Sequence, residues 1–240
     1  MTGPGRPWRW STAGMPPDPA PSTPGPSSGR VLAVCRVHQL QPDGARGDVT
    51  AIDKRPLEGA VDVGHLGVRG DVQADRQDHG GPDKAVYAYA QEEAEHWTGV
   101  LARDLPPGLF GENLRTTGVD VDGAEVGERW RVGERLEVEV TMARTPCQTF
   151  ARHLGEERWV RRFTERGRPG AYLRVLVPGE VRAGDPVEVL SRPGHGVTTS
   201  AFFAERSPED ARVLRAAHDD GSLRLAPALL DYVDRALARS

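Results

Sequence analysis

Across residues 31–190 the chain rarely runs far without a turn signal, and this punctuation limits the folds open to it. The opening piece, VLAVCRVHQL, mixes β-branched and apolar residues and stops at Gln41-Pro42-Asp43-Gly44, which reads as a strand followed by a turn. Over 49–72 the apolar pieces TAIDK, GAVDV and LGVRGDV alternate with Gly, Asp and Arg, as in brief strands joined by tight turns. Another strand is expected over 85–89. The period then changes over 91–102, where Ala94, Trp97 and Leu101 mark one face of a helix that Pro106-Pro107-Gly108 should end. Two more β-rich stretches, 130–142 and 171–190, flank a helix expected near 158–165, with Gly133, Gly170, Gly179 and Gly184 as breaks. The expected class is therefore α+β and rich in strand.

Both ends of the chain differ from this middle. Residues 1–28 hold eight prolines among Gly, Ser and Thr, too polar a mixture to offset the entropy of ordering, so a disordered arm is expected. Met15 lies inside it, and translation starting there is a further expectation. After Arg192-Pro193-Gly194 the chain turns to Ala, Leu, Arg and acids, and helices are expected at about 200–205, 208–219 and 225–238. Ser207-Pro208-Glu209 has the form of an N-cap with proline at the first helical position. Leu229, Leu230, Val233 and Leu237 give the last helix an apolar stripe. The 240 residues thus divide into an arm (1–28), one main domain (29–194) and a three-helix extension (195–240).

Composition removes several functional classes. A net charge of −4 and a pI near 6.0 speak against a nucleic-acid binder, which needs a net basic face. No apolar run is long enough to span a bilayer, so no membrane association is expected. The two cysteines, Cys35 and Cys147, make neither a disulfide scaffold nor a paired zinc motif, and fit a reducing cytoplasm. The only lysines are Lys54 and Lys84, in a chain whose other cations are arginines. Either a compositional bias toward arginine spared these two lysines, or a compact ammonium serves at both places better than a guanidinium fork.

Three segments carry possible chemistry. GDVQADRQDHGGPDKAVYAY sets Asp71, Asp75, Asp78, His79, Asp83 and Lys84 around Gly80-Gly81, a pair that lets backbone approach a ligand. The spacing fits no standard zinc or EF-hand loop, and the acids could equally solvate a turn. FGENLRTTG holds Glu112 and Asn113 beside a glycine, where such residues also serve simply to tie a loop. In ARTPCQTF, Cys147 follows an Arg-Thr-Pro turn at the end of LEVEVTM. A thiol near Arg144 and a following helix start is biased toward thiolate, the form that binds soft metals; a buried, inert cysteine is the other reading.

The order and spelling of AIDK, GVRGDVQADRQDHGGPDKAVYAY, FGENL, RTPC and GRPGAYLRVLVPGEVRAGD resemble the MOSC family, named for the C-terminal domain of molybdenum-cofactor sulfurase. Its YiiM-like branch, which carries a three-helix C-terminal extension, is the most similar. The likeness runs from about Val31 to Arg192. It implies a β-barrel whose cleft holds a pterin-based molybdenum cofactor (molybdopterin), with Cys147 as thiolate ligand to the metal. It also implies a reductase that turns N-hydroxylated small molecules (hydroxylamino purines, amidoximes, hydroxylamines) into amines or amidines. Electrons would come from a separate reductase.

On that reading Lys54, Arg55 and Arg144 are candidates for the cofactor's phosphate, and Lys84 is a further one. Backbone at Gly80 and Gly81 would add an anion nest, while Asp75, His79 and Asn113 would bond the pterin or guide protons. Cys35 belongs to no motif and is expected to be structural. Two alternatives remain at this stage. One is a cysteine nucleophile with His79 or His153 as base, in a hydrolase or sulfur transferase. The other is a cofactor-binding or carrier module without turnover.

Overall fold

The computed structural model describes residues 28–43, 49–72 and 80–239. The expected arm, but for its last residue, lies outside them, as does Met15. In chain order the strands are β1 (Ser28–Val37), β2 (Gln41–Pro42), β3 (Val49–Thr50), β4 (Lys54–Pro56), β5 (Val61–Gly64), β6 (Gly67–Val68) and β7 (Val86–Ala90). Helix α1 (Gln91–Leu101) is followed by β8 (Leu114–Thr117), β9 (Arg129–Val132), β10 (Leu136–Ala143), α2 (Gln148–Leu154) and α3 (Trp159–Arg166). Strands β11 (Ala171–Val177), β12 (Gly179–Val181) and β13 (Pro186–Ser191) lead to α4 (Thr199–Glu205), α5 (Pro208–Asp219) and α6 (Pro227–Leu237). No helix among the described residues is long and apolar enough to cross a membrane.

Seven strands close into a barrel in the order β13-β9-β10-β11-β7-β8-β1, with β1 returning to β13 and β4 attached to β1. Strand β1 serves three partners in turn: its start pairs with β13, its middle with β8 and its end with β4. The register slips between Val31 and Ala33, and the bulge leaves Leu32 exposed while its neighbours are buried.

Alternation along a strand separates two cores. In β7, Val86, Ala88 and Ala90 fill the barrel with Val34, Leu114, Trp130, Val138 and Leu173. Tyr87 and Tyr89 of the same strand point out, into an aromatic layer with Trp97, Phe110, Phe150, Trp159 and Phe163. Trp97 and Trp159 meet at 4.6 Å between ring centroids, Tyr89 and Phe110 at 4.5 Å. All five β7 residues are buried because helices cover the face that a small barrel would otherwise expose. One expectation needs correction: α1 stops at Ala102, a left-handed residue (φ 49°), several residues before the prolines.

Asp122 links the barrel to the C-terminal helices. Its main-chain oxygen accepts from the Ser200 N–H (3.1 Å) and the Thr199 hydroxyl (3.1 Å) at the start of α4. Its fully buried carboxylate accepts from the Gly170 N–H at 2.8 Å, and Oδ2 has no hydrogen-bond partner among the described residues. Burial pushes this carboxyl up from 3.8 to about 6, despite the Gly170 bond and the nearby Arg168. The folded protein therefore holds this proton more tightly than the unfolded chain does. The stability linked to it is complete below about pH 4 and is lost as pH rises through 6. Asp122→Asn should be more stable than the parent at pH 7.5, by up to about 3 kcal/mol, with the gain vanishing near pH 4. Urea titrations at the two pH values test this; a loss at pH 7.5 would show that the charge is needed.

Candidate functional site

A cleft of about 160 Å³ opens on the outer wall of the barrel, where β7, β10 and β11 meet the loop before β4. Strand β10 delivers Arg144 to it directly after its last residue, Ala143. Thr145-Pro146 then leads to Cys147, the extended N-cap residue of α2, whose side chain makes no capping bond. Cys147, Arg144, Lys54, Lys84 and Asn113 all line this cleft, together with Asp71, Tyr87, Thr149 and Tyr172.

Arg144 is 5% exposed, and its Nη1 has no hydrogen-bond partner among the described residues. Its guanidinium carbon lies 4.0 Å from the Phe150 ring centroid and 5.6 Å from that of Tyr87. The Arg144 N–H donates to the Gly170 carbonyl (3.3 Å). Gly170 must be glycine: its φ is +75°, and a Cβ there would stand 2.5 Å from the Ala88 oxygen. Burial holds the Tyr87 phenol well above its usual range, with Arg144 opposing, and its hydroxyl donates to the Pro169 carbonyl at 2.7 Å. Burial also lowers the His153 imidazole, whose Nε2 is another buried atom without a partner among the described residues.

Lys54 reaches the opposite wall. Its Nζ donates to Asp71 Oδ2 at 2.6 Å, a half-buried pair. The same carboxylate oxygen accepts from Asn113 Nδ2 (2.8 Å), and Oδ1 accepts from the Val37 N–H (2.9 Å). Asn113 also donates from Nδ2 to the Cys35 carbonyl (3.2 Å), and its Oδ1 accepts from the Tyr87 N–H (3.2 Å). Its amide thus braces β1, β7 and Asp71 from the cleft floor. Cys35 lies beneath, its thiol pushed up by burial to about 12, so it stays protonated and inert.

The FGENL segment ties its own loop. Glu112 accepts from the N–H groups of Gly108 (2.8 Å) and Phe110 (3.0 Å), and from Arg115 Nε (2.8 Å). Gly108 in turn lies so close to Lys54 that a Cβ on it would be 2.3 Å from the Lys54 oxygen. The other lysine loop is fixed from below. Arg174 donates to Asp83 (2.6 Å) and Glu139 (2.9 Å), holding the 3₁₀ turn Pro82–Lys84 that presents Lys84.

The remaining candidates fall elsewhere. Arg55 is exposed, 3.5 Å from Asp53, and does not line the cleft. Gly80 and Gly81 lead into the turn before Lys84 without lining the cleft, and Gly81 has φ +89°. Asp75, Asp78 and His79 lie outside the described residues. Among the described residues no group of three or more His, Cys, Asp or Glu is placed to hold a metal ion. The sequence reading did not single out Asp71, Tyr87 or Tyr172; Asp71 stood there as one acid among several.

The MOSC domain family matches residues 75–188. YflK of Bacillus subtilis (strain 168) is 39% identical over 168 residues, 70% of this chain and 75% of that protein. YiiM of Escherichia coli (strain K12) is 33% identical over 61% of this chain and 66% of its own length. The crystal structure of YiiM from Geobacillus stearothermophilus superposes with a TM-score of 0.68 at 21% identity, covering 87% of this chain and 99% of that one. With such relatives, and with a barrel of the same fold carrying a C-terminal helical extension, the chain belongs to the MOSC domain family, in its YiiM-like branch.

Proposed function

We propose that this protein is a molybdenum-cofactor-dependent reductase of N-hydroxylated compounds. The observation that carries the reading is the pairing, on one cleft, of the Cys147 thiol with a buried guanidinium that has an unsatisfied donor. A buried Arg lacking an acceptor is unfavourable by itself, and an anionic ligand such as a phosphate supplies what it lacks. Arg144 and Lys54 would hold the cofactor's phosphate. Lys54 spends one donor on Asp71 and has two more to offer. Asp71 keeps the ammonium in place, and Asn113 keeps Asp71 in place. Cys147 would give a soft sulfur ligand to the metal.

The chemistry supplied by the bound cofactor is two-electron oxygen-atom acceptance. Overall, R–NH–OH with two electrons and two protons gives R–NH2 and water, with electrons from a separate reductase protein. Expression in a host able to make the cofactor should give close to one molybdenum per chain by elemental analysis, with reductant-dependent loss of a hydroxylamine substrate. Metal-free protein from such a host, or metal without turnover, would overturn the reading.

The same logic yields a paired result for Arg144→Met. Removing a buried, unpaired charge should stabilise the cofactor-free protein by about 1–3 kcal/mol, since a similar volume is kept without the desolvation cost. It should also lower molybdenum content severalfold. A destabilised variant with normal metal content would instead mark Arg144 as a packing residue.

A further inference from the structure

The segment Arg168-Pro169-Gly170, which leads into β11, is pinned at each of its three residues. The Arg168 guanidinium donates to Glu93 (2.5 Å) and to Asp120 (3.0 Å). The Pro169 carbonyl accepts from the Tyr87 hydroxyl (2.7 Å), and the Gly170 N–H donates to Asp122 Oδ1 (2.8 Å). The Gly170 carbonyl accepts from the Arg144 N–H (3.3 Å).

One peptide unit, Pro169–Gly170, therefore has a cleft side chain on its oxygen and Asp122 on its nitrogen. A carboxylate bonded to the N–H draws electron density toward the carbonyl, which makes that oxygen a better acceptor for Tyr87. The Gly170 carbonyl holds the main chain of Arg144, whose guanidinium carbon lies 5.6 Å from the Tyr87 ring centroid. Backbone packing is tight here: a Cβ on Gly170 would stand 2.9 Å from atoms of both the Tyr87 and Tyr89 rings. Asp122 is fixed from its own side by Ser200 and Thr199 of α4, and its buried Oδ2 lies 3.9 Å from Arg168 Nε. The carboxylate does not line the cleft.

We infer that Asp122 is a positioning residue for the anion site of the cleft. It acts through the Pro169–Gly170 peptide, holding Tyr87 and Arg144 where the unsatisfied Arg144 donor can meet an anion. The inference rests on the anion site of the reductase reading, but the binding it concerns needs neither metal nor turnover.

The probe is inorganic phosphate, titrated calorimetrically into the metal-free full chain at pH 7.5 and low ionic strength. Asp122→Ala leaves the Gly170 N–H without its acceptor and should weaken phosphate binding about tenfold, the order of one misplaced charge-assisted bond. Asp122→Asn still presents an acceptor oxygen to Gly170 and should bind at least as tightly as the parent. Tyr87→Phe keeps the ring beside Arg144 but frees the Pro169 carbonyl, and should weaken binding severalfold. Because both losses pass through one peptide unit, the double variant Asp122→Ala, Tyr87→Phe should lose much less than the product of the two single factors. A merely structural role would move the urea midpoint and leave the phosphate affinity of folded molecules unchanged. Unchanged affinity in Asp122→Ala, an equal loss in Asp122→Asn, multiplicative losses, or a parent that binds no phosphate overturns the inference. If Asp122→Ala does not fold, Tyr87→Phe decides, and unchanged phosphate affinity there is equally fatal. Molybdenum content and turnover judge the reductase reading separately. The expected phosphate pattern in a protein that has neither supports the positioning role and removes that reading.

Discussion

Cys147→Ser should abolish turnover, by about a hundredfold or more, while leaving the fold intact. The change is nearly isosteric but replaces a soft sulfur with a hard, weakly acidic hydroxyl. Cys147 lines the cleft together with Lys54, Asn113 and Arg144. Molybdenum content, activity and urea midpoint should be measured on one preparation. A cysteine that only packs would give the opposite pattern, a loss of about 1 kcal/mol for a half-buried hydroxyl with turnover per folded molecule retained. Full activity at normal molybdenum content would remove Cys147 from the site.

Glu112→Gln should cost stability rather than chemistry, by about 3–5 kcal/mol, because it leaves the Arg115 guanidinium buried without its counter-charge. Both side chains are wholly buried, with Arg115 Nη2 at 2.5 Å from Glu112 Oε1. Arg115→Met should cost less. Glu112 would keep the Gly108 and Phe110 N–H donors, and a carboxyl can take up a proton where a guanidinium cannot lose one. Urea midpoints of the two variants check the order, and equal losses would mean that the main-chain bonds contribute nothing. Because Gly108 rests on Lys54, Glu112→Gln should also loosen the wall beneath the Lys54–Asp71 pair.

Much of the fold was legible because periodicity is local. The helices expected at 200–205 and 208–219 are α4 and α5 almost to the residue, and the short strand expected over 85–89 is β7 shifted by one residue. The Leu32 bulge was hidden, since a register slip depends on the partner strand and leaves no mark in β1 itself. In the site, the motif residues Lys54, Lys84, Asn113, Arg144 and Cys147 share one cleft although they come from distant parts of the chain. Arg55 parts from Lys54 for a simple reason: neighbours in a strand point to opposite faces, so a lysine turned into the cleft sends the next residue to solvent. Asp71 was illegible because only the folded chain shows which of several nearby acids lies within reach of Lys54 and Asn113.

The closure of the barrel by its first and last strands governs the order in which the molecule can be made. The register joins Ser28 to Glu188, so the ring of hydrogen bonds stays open until nearly the whole barrel has left the ribosome. Such distant pairing is slow to form, because a long loop must close before any contact rewards it. Until then β1 and β9 each present an unpaired edge in the nascent chain, open to pairing with another molecule. The bonds from Ser200 and Thr199 to Asp122 come later still, so docking of α4 to α6 follows closure of the barrel. A chain stalled before β13 should therefore be a substrate for chaperones rather than a smaller, working barrel.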